Sequence, residues 1–314
     1  MQRFRIGIDA GGTKVAYGLF NEENQLVDRF QQPTPIKADG PQFSELVIES
    51  VRKLMERNKL TGGDMLGVGL CMPSFILFDK GYIYMTSAMV NIRDFAMRDY
   101  LTARLGLPVI LDNDSNVAAL AEHRFGAGRG SRNLIYMSAS TGIGSGLILN
   151  GELFRGSYGW AGESGHMLIT PDEGVECGCR NKGCFMSWCS GRYIPQQIRR
   201  RAAAGAQTSM NLGEKLDCVE LARACREGDP LAMEILEQTA HYLGVCVFNI
   251  YQLLNVNLYV FGGGLVNFGP LLFDRVRREF DRYNHIPLPV EFRFAELKQD
   301  FGIIGAAELV RELM

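Results

Sequence analysis

Two stretches, one leading each half of the chain, carry the same pattern: a strand, a turn rich in glycine with a threonine in it, and a returning strand. In the first, residues 3–9 alternate and then run apolar, Asp9-Ala10-Gly11-Gly12-Thr13-Lys14 turns the chain, and Val15 to Phe20 returns. In the second, Leu134 to Met137 leads into Ser140-Thr141-Gly142-Ile143-Gly144-Ser145-Gly146, and Leu147 to Leu149 returns. Backbone N–H groups bared by glycine, beside a hydroxyl, can cradle phosphate oxygens. Asp9 at a strand end can hold Mg²⁺, through water, because that ion keeps much of its hydration shell. Either turn read alone fits a plain hairpin as well. Together they imply an internal duplication and a nucleotide held between two lobes.

The rest of the chain is compatible with that. Its 314 residues suffice for two lobes with real cores. Hydrophobic content of 46% and charged content of 22% are ordinary for a globular protein. A net charge of −2 argues against a broad nucleic-acid surface. No apolar run reaches the ~20 residues that span a bilayer, so no membrane association is expected. The chain enters a strand at once, so neither a signal peptide nor an appended DNA-binding domain is expected. Of eight cysteines, Cys71, Cys189, Cys218, Cys225 and Cys246 mostly sit among apolar residues and read as buried thiols. That usage suits a reducing, cytoplasmic location.

After a third strand, Leu26 to Gln31, a helix is expected over 41–58. A buried strand, Leu66 to Leu70, is broken by Pro73 and Ser74. A loop containing Asn91 then leads to a helix near 95–105 capped by Asp94. Pro108 to Leu111 is a strand. It runs into Asp112-Asn113-Asp114-Ser115-Asn116 and a helix ending at Gly126. Asp114 or Ser115 is the expected N-cap, and capping explains any one of these polar groups. Four adjacent ones exceed what a cap requires. An Asp at a helix N-terminus is held as an anion by the dipole and N–H donors, and can accept a proton from a substrate hydroxyl. Helices are expected near 191–204, 218–227 and 230–254; His241, in the last, has no assigned role. The strand Leu258 to Phe261 ends in Gly262-Gly263-Gly264, which fits a tight strand–helix turn or close approach by a flat ligand or phosphate. A helix near 268–282, a strand Val290 to Phe294 and a closing helix from Phe301 complete the chain.

Between Glu163 and Cys184 stand Glu163-Ser164-Gly165-His166 and then Cys177-Gly178-Cys179-Arg180-Asn181-Lys182-Gly183-Cys184. One His and three Cys at this spacing match a closed tetrahedral zinc site, with Zn–S near ~2.3 Å. Gly178 and Gly183 are read as letting the backbone turn so that the thiolates converge. The alternative is three free thiols in a loop.

Taken together, these motifs resemble the ROK sugar kinases of the actin-like ATPase superfamily. Asp9-x-Gly11-Gly12-Thr13-Lys14 and Ser140-Thr141-Gly142-x-Gly144 resemble the two phosphate motifs. Asn113-Asp114 resembles the sugar-binding Asn and catalytic Asp. Glu163-x-Gly-His166 with Cys177, Cys179 and Cys184 resembles the family signature and zinc knuckle. Gly262-Gly263-Gly264 resembles the adenosine motif, and Gly302-x-x-Gly305-Ala306-Ala307 the usual ending. The resemblance implies a two-lobed α/β fold of actin-like (ribonuclease-H-like) type with an interlobe cleft. The small lobe would be 1–116 plus 301–314, and the large lobe, 117–300, would carry the knuckle. It implies ATP, Mg²⁺ and structural Zn²⁺, and transfer of the γ-phosphoryl group to a sugar hydroxyl, usually the 6-hydroxyl. Asp114 would be the base. Asn91, Asn113, Glu163 and His166 would hold the sugar, with His166 also on zinc. A homodimer is expected.

Four positions depart from the family pattern. Met186 stands where a sugar-binding Glu is usual, and a thioether cannot replace that charged acceptor. Arg180 stands where Gly is usual, and is unstrained only if its φ stays negative. Cys71-Met72-Pro73 replaces Pro-Gly-Pro, and Ser140 and Ser145 replace glycines. The sugar is therefore expected to be unusual, or turnover weakened. A sugar-sensing protein without turnover is the alternative.

Overall fold

The computed structural model describes residues 2–298 and 300–314. The opening repeat forms an antiparallel meander: β1 (Phe4–Ala10), β2 (Lys14–Phe20) and β3 (Leu26–Pro33). Helix α1 (Gly40–Arg57) starts at Asp39, whose side chain accepts from the Gln42 amide while Gln42 reaches back to the Asp39 N–H. Next come β4 (Met65–Met72), β5 (Ser74–Leu77), β6 (Tyr82–Thr86), β7 (Arg93–Phe95), α2 (Met97–Leu105), β8 (Val109–Asn113) and α3 (Asp114–Phe125). The second repeat supplies β9 (Leu134–Ala139), β10 (Ile143–Leu149) and β11 (Glu152–Phe154). It is followed by α4 (Met186–Cys189), α5 (Ile194–Ala203), α6 (Cys218–Arg226) and α7 (Pro230–Leu254). The chain closes with β12 (Leu258–Gly262), α8 (Pro270–Tyr283), β13 (Glu291–Phe294) and α9 (Phe301–Leu309).

The duplication is visible in the sheets. One has the order β3-β2-β1-β4-β8 and the other β11-β10-β9-β12-β13. In each, a hairpin strand is the centre: β1 pairs parallel with β4 and β4 with β8, while β9 pairs parallel with β12 and β12 with β13. The central strands are buried on both faces, as β4 and β12 show, and so read as apolar runs rather than alternating ones. This is the α/β architecture expected from the motifs.

Packing onto the first sheet depends on missing side chains. A Cβ on Gly7 would lie 1.9 Å from the Ile303 carbonyl oxygen, and one on Gly69 only 1.7 Å from that of Ala306. Helix α9 therefore rests its backbone directly on β1 and β4. Its Ile303, Ala306 and Ala307 are buried there.

Two expectations change. The segment after Pro73, read as a loop, forms a three-stranded antiparallel sheet, β5-β6-β7. Asp94 does not cap α2: it lies in β7 at φ 49°, and the N-cap is Ala96 without a side-chain bond. The chain divides into two compact units. One compact unit is Met1–Arg132, Gly146–Gly162 and Glu296–Met314, and the other is Asn133–Ser145 and Glu163–Ala295. Helix α3 goes with the first unit because Val117 and Leu120 share a buried cluster with Ala306 and Leu309. The Gly146–Gly162 segment goes with it because Arg155 pairs with Asp112.

Candidate active site

In the first unit, the β1–β2 turn is closed by the Gly11 amide donating to the Lys14 carbonyl at 3.0 Å. The Thr34 hydroxyl donates to the Gly11 carbonyl at 2.7 Å and the Thr34 amide to that of Thr13 at 3.1 Å. Gly11, Gly12 and Thr13 are thus held in one conformation, with Gly12 and Thr13 exposed. Asp9, at the end of β1, faces Cys71 of β4, whose thiol points at its carboxylate from 3.6 Å. On its other side, a Cβ at Gly302 would meet the Asp9 carboxylate at 2.4 Å. Burial raises the Asp9 pKa, against the Cys71 contact and the charge of Lys14.

Strand β8 delivers the second part. Asp112 is buried, accepts from the Asn113 amide at 2.7 Å and from Asn116 at 2.8 Å, and pairs with Arg155 at 2.6 Å. Asn113, not Asp114 or Ser115, is the N-cap of α3. Its side-chain oxygen accepts from the Ser115 amide at 2.8 Å, and its nitrogen donates to the Ser74 carbonyl at 3.1 Å. Asn113 has the extended backbone a cap needs, which leaves Asp114 as the first helical residue. One N–H and one lone pair of the Asn113 carboxamide remain for a ligand.

Asp114 differs from expectation in its titration. Burial and the negative charge of Asp9 raise its pKa to about 6, although Ser115 donates to it at 2.9 Å. Desolvation and a like charge outweigh the helix terminus here. A carboxylate ionised at neutral pH but with an elevated pKa suits a general base. Asn91 does not join this group: it is exposed, and its side-chain nitrogen donates to the Lys37 carbonyl at 2.8 Å.

The second unit carries the remaining residues. Ser140, Thr141 and Gly142 form the β9–β10 turn, where the Ser140 amide donates to the Gly142 carbonyl at 2.9 Å. Two further amides fix it from outside: Gly191 to the Ser140 carbonyl at 2.8 Å and Arg192 to that of Thr141 at 3.1 Å. The triple glycine lies against the same turn. Gly262 is paired beside Ser138, and Gly263, at φ 86°, passes so close that a Cβ would sit 2.5 Å from the Ala139 carbonyl oxygen. Thr141, Gly142, Gly263 and Gly264 therefore belong to one surface. The Met186 methyl also reaches it, 3.4 Å from where a Cβ on Gly142 would be.

The Cys/His stretch converges. One ligand atom each from His166, Cys177, Cys179 and Cys184 lies within 4.8 Å of every other. The Cys177 sulfur is 3.6 Å from His166 Nδ1, and the Cys179 and Cys184 sulfurs are 3.4 Å apart. Sulfurs sharing one ion at ~2.3 Å stand roughly 3.8 Å apart along a tetrahedral edge, so the donor set suits a metal ion. Burial pushes the Cys177 thiol up, but the His166 bond, the two Cys179 contacts and the His166 charge together outweigh this and hold it at about 6, favouring the thiolate that a metal takes. The turn is made differently from expectation. Gly183, at φ 84°, is required, since a Cβ would lie 1.9 Å from the Thr170 carbonyl oxygen. Gly178 has no such need; Arg180 takes the left-handed position instead, at φ 70°. Glu163 precedes the short 3₁₀ turn Ser164–His166, and its carbonyl accepts from the His166 amide at 3.0 Å.

A family model, that of the ROK family, matches residues 5–313. The chain belongs to the ROK family. Among its ROK relatives, the glucokinase of Halalkalibacterium halodurans is 31% identical over 316 residues, covering 99% of this chain and 96% of that one. A crystal structure of a ROK glucokinase from Streptomyces griseus, in complex with glucose and AMPPNP, superposes with a TM-score of 0.79 at 30% identity, covering 98% and 99% of the two chains. The family also holds regulators. The xylose repressor of Bacillus spizizenii is 27% identical over 98% of this chain, which spans 77% of the repressor.

Proposed function

We propose that this ROK protein is a carbohydrate kinase that transfers the γ-phosphoryl group of ATP to a hydroxyl of a hexose-type sugar, the 6-hydroxyl by family resemblance. The observation that carries the reading is Asp114: a carboxylate at a helix start, beside a half-satisfied Asn113 and the Asp9 carboxylate, with a pKa of about 6. Glucokinase relatives spanning nearly the whole chain support it.

In this reading Asn113 orients the acceptor hydroxyls, and Glu163 and His166 add further contacts. Asp114 takes the proton of the attacking hydroxyl as its oxygen bonds to the γ-phosphorus. The bond from that phosphorus to the bridging oxygen breaks, and ADP leaves. The amides of Gly11, Gly12 and Thr13 and the turn at Thr141 and Gly142 cradle phosphates, Lys14 adds a positive charge, and Gly262, Gly263 and Gly264 receive the nucleoside. Asp9 would hold Mg²⁺, which would supply neutralisation of the phosphate charge. His166, Cys177, Cys179 and Cys184 would hold a structural Zn²⁺, which would fix the imidazole in place. Assembly as a homodimer and action in the cytoplasm belong to the same proposal.

The test is a panel of sugars with Mg-ATP. ADP release with at least one hexose, lost in Asp114→Asn, is expected. A wild-type protein that consumes no ATP on any sugar would sink the reading. In that case the second reading, sugar sensing without turnover, takes over. It is favoured by the matching xylose repressor and by Met186, whose methyl lies over the Gly142 turn where the family has a carboxylate.

A further inference from the structure

Strand β5 is an edge strand of its three-stranded sheet. Two of its carbonyls, two residues apart, accept hydrogen bonds from side chains. The Ser74 carbonyl accepts from Asn113 at 3.1 Å, and the Ile76 carbonyl accepts from the Trp160 indole N–H at 3.0 Å. At a rise of ~3.3 Å per residue, two residues span at most ~7 Å along the strand, and the register shift between Phe75 and Ile76 shortens this, so the indole and the Asn113 carboxamide are anchored about one sugar ring apart. Gly159 makes the approach possible: at φ 95° a Cβ there would lie 2.7 Å from the Ile76 oxygen.

The loop carrying Trp160 is held at both ends. Arg155 pairs with buried Asp112 at 2.6 Å and with Glu312 at 2.8 Å, and stacks 3.8 Å above the Phe78 ring. The Arg155 carbonyl then accepts from the Ala161 amide at 3.0 Å, closing the loop. Asp112 directly precedes Asn113, so one ion pair ties the aromatic loop to the strand end bearing Asn113 and Asp114. Around the indole stand Phe75, edge-on at 5.4 Å, Tyr84 at 5.9 Å and Tyr158 at 6.2 Å between ring centroids. Tyr158 is 69% exposed and Tyr84 50% exposed. An aromatic group this open, yet rigidly mounted, presents flat apolar faces edged with hydroxyls. That matches a pyranose, which has an apolar C–H face and a polar rim.

Resting on the proposed sugar-kinase reading, we infer that Trp160, with Tyr158 and Tyr84, forms a subsite for a second ring on the acceptor, so that the enzyme accepts a glycosidically extended hexose. Asn113 and Asp114 engage the ring that is phosphorylated, and the indole stacks on the ring linked to it. Trp160 selects the acceptor and takes no part in the chemical step.

The chain has two tryptophans, Trp160 and Trp188, which makes the subsite directly observable. Glucose, maltose and cellobiose are compared as acceptors in the wild type and in Trp160→Ala, Trp160→Phe and Tyr158→Ala. A disaccharide is expected to be phosphorylated, with kcat/KM falling about tenfold in Trp160→Ala, the change that ~1.4 kcal/mol of lost contact produces. Trp160→Phe should retain most of the rate, and values for glucose and ATP should stay within about twofold. In Trp188→Phe, the disaccharide should shift Trp160 emission. If that variant fails to fold, the wild-type minus Trp160→Phe difference gives the same signal.

Turnover of glucose without any disaccharide turnover or Trp160 response overturns the inference and leaves the kinase reading standing. A Trp160 response with no turnover of any sugar does the reverse. If Trp160→Ala separates a dimer on sizing while leaving all sugar kinetics unchanged, the rings belong to an interface and the inference falls.

Discussion

Asp114 shows how one residue's environment can reverse a local rule. A helix N-terminus lowers a carboxylate pKa, but burial and Asp9 raise this one to about 6. The rate on a good acceptor should therefore fall as pH drops through about 6, while Asp9→Asn should move that limb lower along with weakening Mg²⁺ dependence. Initial rates between pH 5 and 9 check this. The stability consequence has the opposite sign. The folded pKa lies above the unfolded ~3.9, so the group favours folding below that value, and this contribution is lost as pH rises through 6. At pH 8, Asp114→Asn should raise stability by ~1–2 kcal/mol, discounted because the side chain is partly open. It should also cut kcat by roughly 10²–10⁴. Equal melting temperatures at pH 8 would contradict the origin assigned to the shift. Arg180 is a second case. Its φ of 70° places an L side chain in the left-handed region, at a cost of ~1–2 kcal/mol. Arg180→Gly should raise the melting temperature by a few degrees and leave kinetics unchanged.

At the element scale, backbone contact decides more than side-chain character. Helix α9 lies on β1 and β4 only because Gly7 and Gly69 have no Cβ. Gly69→Ala would put a methyl 1.7 Å from the Ala306 oxygen, and should cost about 3 kcal/mol or more, read by denaturant titration. Long elements were legible in the residues. Helix α7, expected over 230–254, is Pro230–Leu254, because a Pro at its start and a continuous apolar face agree. The short β5-β6-β7 sheet was not. Pro73 and Ser74 look like breakers, and strands of three to five residues give periodicity too little room. Yet Tyr82-Ile83-Tyr84-Met85-Thr86 is rich in β-formers, a signal that was present. Missing this sheet also hid Trp160, whose partner is a carbonyl on β5.

For the whole molecule, the repeated strand order in two five-stranded sheets is the duplication that the two glycine turns announced. The cluster of His166, Cys177, Cys179 and Cys184 belongs to one of the two units. Elemental analysis should find one zinc per chain. Cys179→Ser should lose it and melt at least ~5 °C lower, since binding a structural metal contributes folding free energy. A metal-free protein of unchanged melting temperature would contradict the zinc assignment.

Residue types and their spacing, on their own, determined the α/β duplication, the two phosphate-type turns, the Cys/His cluster and the Asn113-Asp114 pair. Each motif is local, written within about twenty residues, where backbone geometry leaves few alternatives, and the duplication is one such motif met twice. Tertiary structure alone decided which atoms meet: that Asp9 and Gly302 crowd one another, that Asp114 is pushed up to about 6, and that Arg155 ties an aromatic loop to Asp112. These depend on contacts between residues tens to hundreds of positions apart. The energies of such contacts, desolvation above all, come from how atoms are packed and have no expression in sequence order.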